Sequence, residues 1–281
     1  MLEFPVKPML LQAAGVPFDS PDHLFEWKVD GIRCIMFYQN GAARLQSKTG
    51  KDCSRQFPEL LAPSLNVNEA ILDGEIAIIN DKKPDFEGVM ERYMAGPRKI
   101  ISLSHTKPAV YIVWDILWLN GCSLMHLPLV ERKAILEGVL HNNDYVKKIE
   151  FIESEGTLLW NAIKEHQLEG MVAKHKKARY HSGRRTSAFI KIKNYQFADV
   201  NVFGYKKRDG FILVGTGAVI QGHALGIGRQ DKAALWELIK EYGESKGDSI
   251  MLPPGIRGRV KFTTWSSGGK MRDCSWQGFV V

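Results

Sequence analysis

One octapeptide stands out for residue types that can carry covalent chemistry: Glu26-Trp27-Lys28-Val29-Asp30-Gly31-Ile32-Arg33. Lys28 lies on an otherwise apolar, strand-like run, close to a glycine turn and five residues before an arginine. A lysine amine has an ordinary pKa near 10.4, so it attacks an electrophile only where burial and neighbouring cations lower that value. Arg33 and a bound metal would supply such a field. A surface lysine beside a turn is the bland alternative, and it would win for any isolated lysine. The pattern K-x-D-G-x-R is rarer, since four fixed types arise by chance in roughly two chains per thousand of this length. Further along, Lys191 and Lys193 alternate on a strand, Phe189–Lys193, and so point to one face.

The elements that must position these groups follow from periodicity. Glu26–Tyr38 and Ala42–Ser47 read as strands joined at Asn40-Gly41, a tight-hairpin dipeptide. Ala70–Ile79 and Val110–Leu119 are β-branched and aromatic, broken by single polar residues, as half-buried strands are. Asp85–Tyr93 places Phe86, Val89, Met90 and Tyr93 at helical spacing. Pro128 opens a helix through Leu140, and Ser154 caps another to about His166. After Asn194 the texture changes. Val200–Tyr205, Phe211–Ile220 and His223–Gly228 read as short strands punctuated by glycine, followed by a helix at Asp231–Tyr242 and strands around Arg257–Trp265. Several short strands with one inserted helix suit a small Greek-key barrel of the oligonucleotide-binding (OB) type. The expected boundary gives domains 1–196 and 197–281.

Composition bounds the answer. The chain has 281 residues, enough for one large or two ordinary domains, with 44% apolar and 25% charged residues. Lysine and arginine number 38 against 31 acids, a formal charge of +7 that mildly favours a polyanionic partner. Neither a secretory signal nor a membrane-length apolar stretch is evident. The four scattered cysteines, with no C-x-x-C pair, favour free thiols in a reducing cytosol over disulfides or a cysteine zinc site. A cytoplasmic, nucleoid-associated protein with no membrane partner is expected.

The octapeptide resembles motif I of the covalent nucleotidyltransferases, the family of ATP-dependent DNA ligases, RNA ligases and mRNA-capping enzymes. Further matches follow in the family's order. Ser47-Lys48-Thr49-Gly50-Lys51-Asp52 with Phe57-Pro58-Glu59-Leu60 resembles motif Ia, and Leu72-Asp73-Gly74-Glu75 motif III. Val113-Trp114-Asp115-Ile116-Leu117 resembles motif IIIa, Glu169-Gly170-Met171-Val172-Ala173-Lys174 motif IV, and Phe189-Ile190-Lys191-Ile192-Lys193 motif V. Six in order are not an accident.

The resemblance implies an α+β fold: a nucleotidyltransferase (ATP-grasp-like adenylation) domain of antiparallel sheets with flanking helices, then an OB-fold barrel. It also implies roles. Lys28 would be the nucleophile that attacks the α-phosphate of ATP. Glu26 would accept from the adenine amino group, Glu75 would reach the ribose or a metal-bound water, and Trp114 would stack on the purine. Glu169, with Glu75, would hold Mg²⁺ (or Mn²⁺), a cation that prefers oxygen ligands. Lys191 and Lys193 would meet the α-phosphate, while Arg33, Lys48 and Arg185 would add phosphate or sugar contacts. From Gly170 to Lys193 there is no acidic residue. The cations of that run outside the nucleotide set, Lys174, Lys176, Lys177, Arg179 and Arg184, are expected to touch the DNA backbone, with Lys206, Lys207 and Arg208 extending the track.

Within the family, Phe57-Pro58-Glu59-Leu60 together with Pro128-Leu129-x-Glu131-Arg132-Lys133 is a DNA-ligase habit. So is Tyr180-x-x-Gly183-Arg184-Arg185, and the end around Gly269–Arg272 and Gly278-Phe279 is similar to the ligase module of bacterial end-joining repair ligases. The implied function is sealing of nicked duplex DNA in repair, by a monomer using ATP, with a bacterial Ku protein as a possible partner. Two departures stand out. Lys48 replaces the usual motif Ia arginine and loses its bidentate fork. The closing Arg-x-Asp-Lys of motif VI is missing, and Lys261, Lys270 or Arg272 would have to stand in. The segment Asn194–Asp199 is the expected hinge. The rival readings are an RNA ligase or capping-type guanylyltransferase, and a catalytically silent DNA-binding homologue.

Overall fold

The computed structural model describes residues 4–280. The chain divides into a unit that ends at Lys193 and a unit that begins at Asn194.

The first unit is built on two sheets. One has the strand order Leu10–Ala14, Arg185–Lys193, Gly170–His175, Ser20–Trp27, Phe151–Ser154; the other runs Val146–Lys148, Val110–Leu119, Glu69–Ala77, Ile32–Gln39, Ala42–Ser47. Pairing is antiparallel except at two edges, where Leu10–Ala14 joins Arg185–Lys193 and Val146–Lys148 joins Val110–Leu119 in parallel. Alternation sorts the side chains into layers. On Ser20–Trp27, Leu24 joins an apolar cluster with Ile35, Phe37, Ile71 and Leu117 of the other sheet, whereas Phe25 packs with Ile163 of the helix Gly156–Glu165. The far face of the second sheet packs Met36, Leu72 and Val113 against Val89 of the helix Phe86–Met94 and Leu136 of Leu129–Val139. The layers are therefore helix, sheet, sheet, helices.

Parity then predicts what lies between the sheets beyond that apolar cluster. Glu26 shares the face of Leu24. Arg33 shares that of Ile35, Asp73 and Glu75 that of Ile71, and Lys191 and Lys193 that of Phe189, all residues of the inter-sheet cluster. Charged groups thus converge in one crevice.

The apolar run predicts one long strand, Glu26–Tyr38, through Lys28. Instead Ser20–Trp27 ends before it and Ile32–Gln39 begins after it, each in a different sheet. Gly31 lies in the crossing, where a Cβ would collide with the carbonyl oxygen of Ile76. Ser154 does not cap a helix either; it ends a strand with φ of 66°. The helix that follows is capped from a distance, the backbone N–H of Thr157 donating to Asp19 Oδ1 at 2.8 Å. The helix Pro97–Thr106, unassigned from sequence, carries proline at its first turn.

In the second unit the strands Gln196–Lys206, Phe211–Gly215 and Gly222–Ala224 form a meander. The long first strand pairs on its other edge with both Arg257–Phe262 and Ser249–Met251, and Arg257–Phe262 pairs in turn with Ser275–Phe279. These ladders make a branched sheet, and among the described residues no closed barrel is seen. The core is Val200, Val202, Ile212, Val214, Val260, Phe262 and Trp276. The helix Arg229–Tyr242 adds Leu235 to it, and Asp231 Oδ2 accepts from the Trp276 indole at 2.8 Å. The expected hinge is mostly strand, because Gln196 is already paired with Phe262.

Candidate active site

The crevice of the first unit opens into a cavity of about 410 Å³, including its open mouth. Glu26, Trp27, Lys28, Val172, Lys174 and Phe189 line it from one sheet and its connection; Arg33, Glu75 and Trp114 line it from the other. The structure thus gathers around one space residues far apart in sequence.

Lys28 is pinned by its backbone, the N–H donating to the Gly170 carbonyl at 2.8 Å. Gly170 has φ of 151°, and a Cβ there would strike the Ile192 carbonyl, so no other residue brings these strands so close. Lys28 Nζ donates to Glu169 Oε2 at 2.5 Å, and Lys193 Nζ lies 3.6 Å from the other oxygen of that carboxylate. Glu169 bridges two ammonium groups, one of them on the cavity-lining Lys28, while Glu169 and Lys193 themselves are not among the lining residues. Burial, then Lys193 and Lys28, lowers the Lys191 pKa, which places a third amine in the same field.

Arg33 and Trp114 form the opposite wall. Arg33 holds buried Asp73 through two parallel hydrogen bonds of 2.6 Å, and the Tyr180 hydroxyl donates to the same carboxylate at 2.8 Å. Burial opposes the Arg33 charge, but Asp73, Tyr180 and Glu75 together outweigh it and hold the guanidinium pKa above its ordinary value. The guanidinium lies 4.6 Å over the Trp114 ring. Glu75 is directly opposite Arg33 in the ladder. Burial drives its carboxyl pKa up to about 8, against the pull of Lys28 and Arg33 and with help from the Glu169 charge.

Two nearby carboxylates, one of them with its pKa raised by burial despite the neighbouring Lys28 and Arg33, fit a divalent cation. Glu75 and Glu169 are the residues that would hold it, with phosphate oxygens of a nucleotide completing an all-oxygen donor set. Among the described residues no cluster of three or more metal-binding side chains exists, so protein ligands alone do not make the site.

Glu26 is fully buried. Its carboxylate sits 2.7 Å from Lys133 Nζ and 2.6 Å from Lys174 Nζ. Burial raises its pKa, but the two lysines outweigh burial and hold it below the ordinary value. Burial also lowers the Lys174 pKa to about 8.

Several expected contacts are displaced. Lys174 is expected on a DNA-facing track, yet its side chain is 3% exposed, inside the cavity with its ammonium 5.1 Å from the Trp114 ring. Parity carries the reason, since Lys174 shares the crevice face with Val172, which is opposite Glu26. Lys48 is exposed in a turn, and Arg185 is exposed with its guanidinium donating to the Leu11 carbonyl; neither lines the cavity. Lys177, Arg179 and Arg184 are exposed, whereas Lys176 pairs with Glu153 at 2.6 Å. In the second unit Lys206 pairs with Asp209 and Lys207 donates to Ser245, while Arg208 is exposed. Sequence reasoning gave no role to Asp73, Tyr180 or Lys133. Lys133 was legible as the neighbour of Arg132, whose buried guanidinium grips Asp115 at 2.7 and 2.8 Å.

The fold is that of the nucleotidyltransferase-type ligases. It superimposes on a mycobacterial DNA ligase D complexed with ATP and MES, covering 98% of this chain and 95% of that one, with a TM-score of 0.60 at 22% identity. A Lig E DNA ligase described as binding DNA with a minimal scaffold aligns over 96% and 100%, with a TM-score of 0.66 at 17% identity. The sequence model described as ATP dependent DNA ligase domain matches residues 8–193, and the chain belongs to the ATP-dependent DNA ligase family of enzymes. Among curated relatives, the SPbeta prophage-derived DNA ligase-like protein LigB of Bacillus subtilis is 33% identical over 206 residues, 73% of each chain. The bifunctional non-homologous end joining protein LigD of the same species is 26% identical, and the multifunctional LigD of Mycobacterium bovis 25%. This chain aligns over 99% and 90% of its own length with them but spans only 49% and 35% of theirs. No helix among the described residues is long and apolar enough to cross a membrane.

Proposed function

We propose that the chain seals 5′-phosphate/3′-hydroxyl nicks in duplex DNA through a lysyl-AMP intermediate on Lys28. The observation that carries this reading is the placement of Lys28 at the mouth of an aromatic-walled cavity, among Glu169, Lys191 and Lys193. In the first step Lys28 Nζ attacks the ATP α-phosphorus in line. A P–N bond forms, the bond to pyrophosphate breaks, and the amine proton is lost. Glu169, 2.5 Å from that amine, holds it toward the cavity and is placed to receive the proton. Lys191 and Lys193 stabilise charge on the transferred phosphate. Glu75 and Glu169 would hold a divalent cation, which would supply charge neutralisation at the phosphates. The adenylyl group then passes to a 5′-phosphate oxygen at a nick, which regenerates the lysine. The 3′-hydroxyl finally attacks the activated 5′-phosphorus and AMP leaves.

The exposed Lys177, Arg179 and Arg184 would position the DNA backbone, with Lys206, Lys207 and Arg208 as further contacts. The second unit would act as an OB-type barrel. The run of ladders from Gly222–Ala224 through Phe211–Gly215, Gln196–Lys206 and Arg257–Phe262 to Ser275–Phe279, with the isolated parallel bridge between Leu225 and Ser275 at its two ends, supports that reading. A role in repair, with a Ku-type partner, rests on likeness to the LigD proteins.

A nick carrying a pre-adenylated 5′ end separates the steps. Lys28→Ala should seal that substrate and fail on an ordinary nick with ATP. Failure of the wild-type chain on both would favour a silent DNA-binding homologue, and preference for RNA ends or GTP an RNA-ligase or capping reading.

A further inference from the structure

Lys133 lies outside the cavity, on the helix Leu129–Val139, with its side chain 8% exposed. Its ammonium reaches Glu26 Oε1 from behind, while Lys174 holds Oε2 from within the cavity beside Trp114. Both carboxylate oxygens are therefore ion-paired, and Glu26 lines the cavity in which a base would stack. We propose that Lys133 is the residue that sets base selectivity, acting through Glu26. This deepens the ligase reading and rests on it.

The chemistry is that of two purine edges. Adenine presents an amino group that donates and a ring nitrogen that accepts. An ionised Glu26 accepts the first, and the adjacent Lys174 ammonium can donate to the second. Guanine presents a carbonyl oxygen where adenine has the amine, so two sets of lone pairs would face each other. That discrimination holds only while the carboxylate is ionised and fixed. Without Lys133, Glu26 would keep one counter-charge in a buried site. A fraction of it would then protonate, and a protonated carboxyl donates to the guanine oxygen. Lys174 faces Glu26 from its strand and Lys133 from its helix, and the buried Asp115 acts on Lys174.

The test is single-turnover formation of the lysyl-nucleotide, measured with α-labelled ATP and GTP on wild type, K133M and K133R. K133M should lower the ATP-to-GTP ratio by about tenfold, mainly by raising the half-saturating ATP concentration, with the maximal rate little changed. The loss should be larger at pH 6 than at pH 8. K133R keeps the charge and should keep the ratio within about twofold; K133Q replaces K133M if the latter does not fold. A wild-type ratio in the folded, uncharged variant would overturn the proposal, as would a fall in maximal rate at unchanged ratio. Absence of any ATP label on wild type would instead overturn the ligase reading.

Discussion

Glu75→Gln should stabilise the protein while it disables the chemistry. In the native chain burial lifts the Glu75 carboxyl from 4.5 to about 8. Between those two pH values the folded state holds a proton that the unfolded state has released. Stability is therefore lost as pH rises through the window and is unaffected below it. Each pH unit is worth about 1.4 kcal/mol, so a fully sealed group would cost roughly 5 kcal/mol. Glu75 is half-buried, and solvent at the mouth screens it, which brings the penalty to about 2 kcal/mol at pH 8.5. For a unit of this size that is about 4–8 °C in melting temperature. The assay is thermal melting of wild type and Glu75→Gln at pH 5 and pH 8.5, beside adenylyl transfer from ATP. The two proteins should melt together at pH 5 and separate at pH 8.5, the variant higher, while the variant transfers adenylate poorly. Parallel melting curves at both pH values would refute the argument, because the raised pKa would then not exist. Mg²⁺ should shift the wild-type curve toward that of the variant at pH 8.5, since a bound cation removes the penalty.

Three further outcomes follow from the geometry. Asp115→Asn leaves the Arg132 guanidinium buried without its carboxylate and should cost about 3–5 kcal/mol by denaturant unfolding, with Arg132→Met less damaging. Tyr180→Phe removes the hydroxyl shared by Asp73 and the Met9 N–H; it should cost about 1–3 kcal/mol and raise the ATP concentration needed for adenylyl transfer, because Arg33 loses its brace. Charge reversal at Lys177, Arg179 and Arg184 together should flatten the salt dependence of nick binding by about three in log–log slope, leaving adenylyl transfer from ATP intact.

The candidate site residues were legible because motifs are local: Lys28, Glu75, Trp114 and Glu169 can be picked out without knowing where the chain turns. What was not legible is tertiary. Nothing near Ser154 reveals that Asp19, far away in sequence, caps the next helix. The break after Trp27 is invisible to hydrophobicity, because Val29 and Ile32 continue the apolar run while the backbone crosses from sheet to sheet. Lys174 is the instructive case. Read as part of a basic run it looks solvated, yet strand parity with Val172 places it in the crevice, where Glu26 offsets part of the cost of its burial. Asp73 and Lys133 stand in recognisable motifs but carry no sequence-assigned role for a related reason: they hold Arg33 and Glu26, and partners of that kind are assigned only once the sheets face each other.

The most direct test is to incubate the purified chain with ATP and Mg²⁺, digest it, and map the adduct by mass spectrometry. The account requires one acid-labile adenylyl group, on the peptide containing Lys28. An adduct on Lys174, Lys191 or Lys193 would contradict it, as would no adduct from a chain that nonetheless seals nicks with ATP.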